Sequence, residues 1–333
     1  MINNQTPKAS IVIPAFNAAP TIEKAILACL AQSYPKDKLE IIVVDDGSSD
    51  NTAEIIKRHP VKYIFQENSG PAKARNTGWK SSAGDVVCFT DADCQPEKEW
   101  VLKLVGKFTD EEIAAVAGSY GIVNSNSLKA GCIHEEIIQR HLKMPEFIRV
   151  FGSYNVAMRR DILEKLGGFE EGFPQASGED NDLSYRILQH GFKIYFAKDV
   201  LVYHYYPQSL RAYLKGQFQH GFWRMKLYKE HPQMAVGDDY TIWKDIIEPP
   251  LALMIIFLVP FTIFRIVLPV WIACLFIYSI LQLPMALKIC WRTKHWMYLE
   301  LFWITFLRGF SRGVGMLFGL LNIYGKGDVS ICL

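Results

Sequence analysis

The chain has no pair of cysteines at metal-binding or redox spacing: Cys29, Cys88, Cys94, Cys132, Cys274, Cys290 and Cys332 stand apart, seven in all. An odd, scattered set argues against a disulfide framework or a zinc site and for reduced, mostly buried thiols. Net charge is nearly absent too, +2 over 333 residues, so there is no global pull on a polyanion and no nucleic-acid partner is expected. The opening Met1-Ile2-Asn3-Asn4-Gln5-Thr6-Pro7-Lys8 lacks the apolar core of a secretory leader, and the domain behind it is expected to stay in the cytosol. Neither usual phosphate-cradling loop occurs: no Gly-x-Gly-x-x-Gly follows the first apolar run, and no Gly-Lys-Ser/Thr is found. Beyond Pro249 acids all but vanish, with Glu300 and Asp328 set against Arg265, Lys288, Arg292, Lys294, Arg308, Arg312 and Lys326.

What the chain does have is alternation. It is 50% apolar, enough for a full core and more than one domain. Strands are expected at Ser10 to Pro14, Glu40 to Val44, Val61 to Phe65, Asp85 to Phe89 and Ile113 to Ala117, with helices between them at Thr21 to Gln32, Thr52 to Arg58, Pro71 to Ser82 and Glu97 to Phe108. This order predicts an α/β fold with a mostly parallel sheet covered by helices on both faces. Parallel sheets take ligands at the carboxyl ends of their strands. Here those ends are polar: Ala15-Phe16-Asn17, Asp45-Asp46-Gly47-Ser48, Gln66-Glu67-Asn68-Ser69-Gly70 and Asp91-Ala92-Asp93. On extended backbone residues i and i+2 share a side, so Asp91 and Asp93 can meet one hard divalent cation, and such an ion can grip a diphosphate. Lys73 and Arg75 open a helix whose N-terminus favours anions, and both are expected at the phosphates.

Taken in order, these phrases resemble glycosyltransferase family two, enzymes with the Rossmann-like GT-A fold. The resemblance is carried by Ile11-Val12-Ile13-Pro14-Ala15-Phe16-Asn17, Val43 to Thr52, Asn68 to Asn76, the Asp91-x-Asp93 signature, Gly152 to Arg160, Leu166-Gly167-Gly168-Phe169 and Gly178 to Leu183, and it covers roughly residues 9 to 225. It implies that Pro14, Ala15 and Asn17 border the nucleotide, that Asp46 faces the base, that Asp91 lies near the ribose or donor sugar and that Asp93 ligates Mn²⁺ or Mg²⁺. Asp45 is then structural. His204 resembles the late histidine that completes the metal site in some GT-A enzymes, and imidazole tilts the choice toward Mn²⁺. The donor implied is a nucleoside diphosphate sugar, and the displacement a single inverting one.

An attacking hydroxyl must shed its proton, which calls for a carboxylate within reach. The family's Glu-Asp motif falls on Glu179-Asp180; by resemblance Asp180 is the base, with Glu179 and Asp182 supporting it. A sugar hydroxyl needs such a base, whereas an ionised polyprenyl phosphate has little use for one, so a saccharide acceptor is favoured. A polyprenyl-phosphate glycosyltransferase and a non-catalytic nucleotide-sugar-binding scaffold subunit stay open as alternatives.

Between Pro249 and Leu287 the chain is apolar except for Arg265, about twice the length that a bilayer core of about 30 Å requires. A two-pass hairpin over about 249–287 is expected, turning near Arg265 to Pro269, with Lys288, Arg292 and Lys294 cytosolic. A third apolar helix over about 296–321 either spans or lies in the interface. Residues 207–248, with the aromatic and cationic run Ser209 to Lys229, are expected as amphipathic interfacial helices behind a catalytic domain over 1–206. The run lacks the Gln-x-x-Arg-Trp of processive family members: Gln217-Phe218-Gln219-His220-Gly221 has no arginine at the fourth place, nor does Gln219-His220-Gly221-Phe222-Trp223. The expectation is an enzyme of the inner (plasma) membrane that works with membrane lipid and a lipid-linked saccharide acceptor.

Overall fold

The computed structural model describes residues 6–173 and 177–324. The chain divides into two compact units, Met1–Val123 with His141–Tyr205, and Asn124–Arg140 with Tyr206–Leu333. In chain order the elements are β1 (Ala9–Ala15), α1 (Ile22–Leu30), β2 (Leu39–Asp46), α2 (Thr52–Lys57), β3 (Lys62–Gln66), α3 (Pro71–Lys80), β4 (Val86–Phe89), β5 (Cys94–Pro96), α4 (Trp100–Val105), β6 (Ile113–Ile122), α5 (Leu128–His141), β7 (Phe147–Ile148), β8 (Val156–Arg159), α6 (Arg160–Leu166), α7 (Glu179–Gln189) and β9 (Lys193–His204). They are followed by α8 (Leu210–Glu230), α9 (Trp243–Leu258), α10 (Val267–Ile280), α11 (Leu283–Thr293) and α12 (Glu300–Tyr324).

The first unit is built on one mixed sheet, in the order β3-β2-β1-β4-β8-β6-β9-β5, with β7 on β9. β1 pairs in parallel with β2 and β4, and β2 with β3. The centres of β1 and β2 read as unbroken β-branched runs because both faces are covered: Ile11, Val12, Ile13, Ile42, Val43 and Val44 are all 0% exposed. β8 enters antiparallel between β4 and β6. Its seat depends on Asn155, fully buried, whose Nδ2 donates to the Ser119 and Val200 carbonyls at 2.8 and 3.1 Å while Oδ1 accepts from Trp100 Nε1 at 2.7 Å. Gly168 sits at φ 78° against α3, where a side chain would meet Asn76 and Trp79; Asn76 fixes that turn by accepting from Phe169 N at 2.9 Å and donating to Phe169 O at 2.8 Å. Among the described cysteines none is bonded to another, and all but Cys274 are buried; Cys332 lies outside the described residues.

The second unit is helical. Glycines let α12 press against two neighbours: a Cβ on Gly315 or Gly319 would run into the carbonyl oxygens of Phe218 and Phe222 on α8, and one on Gly313 into that of Pro249 on α9. α8, expected as an interfacial helix, therefore packs along α12. Among the described residues two helical stretches are long and apolar enough to cross a bilayer, Val267–Thr293 (α10 running into α11) with 27 residues and Trp296–Ile323 with 28. The tract 249–266, expected as the first pass of a hairpin, holds the end of α9 and a 3₁₀ turn. α9 has 16 residues, a rise of about 24 Å, short of the roughly 20 residues that a span requires.

The polar face of α12 is sealed inside this unit. Arg308 Nη1 donates to both carboxylate oxygens of Glu136 on α5, at 2.8 and 2.7 Å, and Arg140 reaches Glu136 at 2.7 Å and Asp245 at 2.6 Å. Burial alone would raise the Glu136 carboxyl, but Arg308 and Arg140 outweigh it and hold the group down at about 2.

Candidate active site

The edge expected to take the nucleotide is assembled from the ends of β1, β2 and β3. Pro14 and Ala15 close β1, and Asn17 follows in a left-handed conformation, φ 47°. Its N–H donates to Ser48 Oγ at 2.9 Å and its Oδ1 accepts from Ser49 N at 2.8 Å, so the loops after β1 and β2 are tied together. Asp45 is wholly buried, accepting from Ser48 N at 2.9 Å and Tyr63 Oη at 3.0 Å, the structural part the sequence suggests for it. Asp46 is 3% exposed. Its Oδ1 accepts from Gln66 Nε2 at 2.6 Å and Ser69 N at 2.9 Å, and its Oδ2 from Gly70 N at 2.9 Å. Asp46 thus fastens β2 to the loop that opens α3, with one lone pair of Oδ2 left beyond these bonds.

Lys73 and Arg75 part company. Lys73 stays at the surface, paired with Glu171 at 2.9 Å. Arg75, expected at the phosphates, is 2% exposed and has both terminal nitrogens engaged: Nη1 donates to Glu179 Oε1 at 2.9 Å and Nη2 to Asp91 Oδ1 at 2.8 Å. Its guanidinium also rests on the Phe169 ring, 5.6 Å from the centroid. A guanidinium so committed has its fork filled by carboxylates.

Glu179 and Asp180 begin α7 behind Gly178, whose φ of 115° lets the chain turn sharply into the helix. Ser177 N donates to Glu179 Oε2 at 2.9 Å, so both Glu179 oxygens are held. Asp180 is half-buried and is approached by the backbone N–H groups of Asn181 and Ser153. Burial pushes both carboxyls upward; Asp180 adds to the rise at Glu179, and Arg75 opposes it at both. Asp182 is turned away to Arg186, 2.8 Å from its Nε, and that guanidinium holds the Leu166 and Gly168 carbonyls at 2.8 and 2.7 Å. Its support of the motif is therefore indirect, through the Gly167-Gly168 turn.

Asp93 and His204, 111 positions apart, meet because Cys94 pairs with His204 across antiparallel β5 and β9. His204 Nε2 lies 3.4 Å from Asp93 Oδ2. Burial would raise the Asp93 carboxyl and lower the imidazole, but their mutual interaction prevails, moving Asp93 down and His204 up. One donor atom from each of Asp93, Cys94 and His204 falls within 4.8 Å of the others. Burial and then Asp93 hold the Cys94 thiol well above its ordinary value, so it stays protonated and donates to Asp93 Oδ1 at 3.6 Å. A carboxylate and an imidazole facing each other are a donor set that fits Mn²⁺.

A stack of rings beside His204 escaped the sequence reading. Tyr120 lies against Tyr154, centroids 3.6 Å apart, stacks at 5.9 Å on His141 and meets the His204 ring edge-on at 5.5 Å. Tyr154 stands inside a quoted motif, but nothing local marks Tyr120 or His141 as its neighbours.

Comparison with known proteins defines the class first: the sheet and its acidic strand ends are those of a GT-A glycosyltransferase. The profile of glycosyl transferase family 2 matches residues 10–167. Glycosyltransferase AglE of Haloferax volcanii is 32% identical over 222 residues, 65% of this chain and 72% of AglE. The probable glycosyltransferase YdaM of Bacillus subtilis is 33% identical over 258 residues, 72% of this chain but 57% of the relative's own length. The chain belongs to glycosyl transferase family 2. Among solved structures, mannosyltransferase PcManGT from Pyrobaculum calidifontis, in complex with GDP-Man and Mn²⁺, aligns over 97% of this chain and 89% of its own, with a TM-score of 0.59 at 22% identity, a likeness of fold.

Proposed function

We propose that the protein transfers a sugar, with inversion, from a nucleoside diphosphate sugar, UDP-linked in the first instance, to a lipid-linked saccharide at the cytosolic leaflet of the plasma membrane. The observation that carries this reading is the grouping around Arg75: Asp91 from the donor-side turn and Glu179 from the base motif sit on one guanidinium, with Asp93 and His204 paired nearby in sequence or strand register. Pro14, Ala15, Asn17 and Asp46 line the nucleotide, Lys73 faces the phosphates and Asp91 the donor sugar. Asp180 accepts the proton of the acceptor hydroxyl as its oxygen bonds to the anomeric carbon from the face opposite the diphosphate, whose bond to that carbon breaks with the electron pair leaving on the phosphate oxygen. Asp93 and His204 would hold Mn²⁺ or Mg²⁺, which when bound supplies charge stabilisation to a departing diphosphate. Membrane attachment is supported by Val267–Thr293, which exposes Val270, Ile272, Phe276, Ile277 and Trp291.

The test uses the purified full-length protein in detergent. UDP- and GDP-sugars are screened with Mn²⁺ for a rise in melting temperature, since a ligand that binds only the folded state stabilises it; GDP-mannose is included because it is bound in PcManGT. Nucleotide release is then followed with lipid-linked saccharide extracts. Asp180→Asn should keep nucleotide and metal binding and lose about 10²- to 10⁴-fold in transfer. No stabilisation by any nucleotide sugar, or full transfer by that variant, would remove the corresponding half of the proposal.

A further inference from the structure

Arg75 raises a question that the proposed reaction leaves open. Its side chain is buried with acids from two different segments, the turn after β4 and the start of α7. A buried ion pair is not in itself a stability device, since desolvation offsets much of the attraction and apolar replacements are often neutral. The two partners, however, stand on the two sides of the reaction. Asp91 belongs with the donor, 16 residues along from Arg75, and Glu179, 104 residues along, immediately precedes the base. The bridge is held from several sides: Phe169 supports the guanidinium plane, Ser177 N holds the second Glu179 oxygen, and the Asn76 bonds to Phe169 hold that ring's backbone to α3. We propose that Arg75 is a positioning residue, a brace that fixes the donor-side carboxylate Asp91 and the base-bearing turn Glu179-Asp180 in one register. The inference rests on the reading of Asp180 as base.

The brace is also a cation facing that pair. Glu179 feels the charges of Asp180, Arg75 and Asp91, and Asp180 feels Arg75 together with the Asn181 and Ser153 backbone N–H groups. A guanidinium favours the ionised form of both carboxyls, and its removal moves their titration upward. A phosphate ligand would behave differently, for its loss weakens nucleotide binding, whereas the loss of a brace slows turnover at unchanged nucleotide affinity.

The experiment compares wild type, Arg75→Lys, Arg75→Gln and Asp180→Asn as full-length proteins, each checked for folding by thermal melt. The probes are UDP and GDP with Mn²⁺ for affinity, and UDP-glucose, UDP-N-acetylglucosamine and GDP-mannose for nucleotide release against pH. Arg75→Gln is expected to bind Mn²⁺-nucleotide within about threefold of wild type while release falls about 100-fold, with the acid limb of the rate profile displaced to higher pH. Arg75→Lys restores a charge without the two-pronged fork, so it should bring the acid limb back and recover only part of the rate. If Arg75→Gln does not fold, Arg75→Lys carries the test: a wild-type rate in it overturns the brace. So does a loss of nucleotide affinity in either Arg75 variant as large as the loss in rate, which would make Arg75 a phosphate ligand. Undiminished release by Asp180→Asn would instead remove the base assignment, a different failure.

Discussion

Asp93 and His204 face each other because a three-residue strand, β5, pairs with the end of β9. Metal binding should therefore depend on both side chains. Asp93→Ala should abolish Mn²⁺-dependent UDP binding and His204→Ala should weaken it by about tenfold or more; calorimetry with Mn²⁺ and with chelator checks this, and equal affinity in both conditions would end the metal assignment. A second expectation concerns pH. Burial raises both Glu179 and Asp180, so Asp180, if it is the base proposed above, gives up its proton at higher pH than an ordinary aspartate, and kcat/KM should fall as pH drops through that raised value. A flat profile down to ordinary carboxylate pH would contradict it. What was legible in the sequence is local: the acids after β2 and β4 stand at strand ends, and the Glu179-Asp180 motif is carried by resemblance to the family. A cation in the first turn of a helix reads as an anion donor, and nothing local to Arg75 records that acids 16 and 104 residues away close around it.

Helix α12 shows that composition can suggest packing through small residues without naming the partners. Its glycines were visible in the sequence, yet only the structure shows that Gly315 and Gly319 face α8 while Gly313 faces α9. Because each meets a backbone carbonyl rather than a flexible side chain, Gly315→Leu or Gly319→Leu cannot be absorbed by rotamer change. Either should destabilise the α8–α12 pair by about 1–3 kcal/mol or more, seen as a lower melting temperature and faster proteolysis between 207 and 243; an unchanged melt would show that the helices separate freely. The aromatics of α8 suggested a headgroup-facing helix, since sequence alone cannot say which of two apolar surfaces, lipid or protein, a Phe or Trp will meet. Strands divide in the same way. β1, β2 and β4 declare themselves as buried β-branched runs, whereas β8, Val156 to Arg159, is four residues long and exists through its pairing with β4 and β6, information that no window of sequence contains.

Over the whole chain, the division into units follows charge as much as hydrophobicity. Residues 124–140 fall with 206–333 rather than with the sheet that flanks them in sequence. One cause is visible in α5: Glu136 is bound by Arg308, 172 residues away, and Arg140 by Asp245, 105 residues away. Arg308 lies in the middle of a helix long and apolar enough to span a bilayer, where an unpaired guanidinium would cost about 2.5 to 3.5 kcal/mol on insertion scales. Two hydrogen bonds to one carboxylate offset that cost only while Glu136 is ionised. Glu136 is held at about 2, below its usual 4.5, so its contribution to stability is fully present above the usual value and is lost as pH falls through the depressed one. Glu136→Gln leaves Arg308 and Arg140 buried without that charge and should destabilise the second unit by about 3 to 5 kcal/mol. Replacing both Glu136 and Arg308 by leucine removes the charge pair together and should recover part of the loss. Thermal melts of the detergent-solubilised protein at neutral pH separate the outcomes: a Glu136→Gln variant that melts with wild type would mean the pair adds nothing, and a double variant less stable than the sum of its parts would mean the network is needed as a whole.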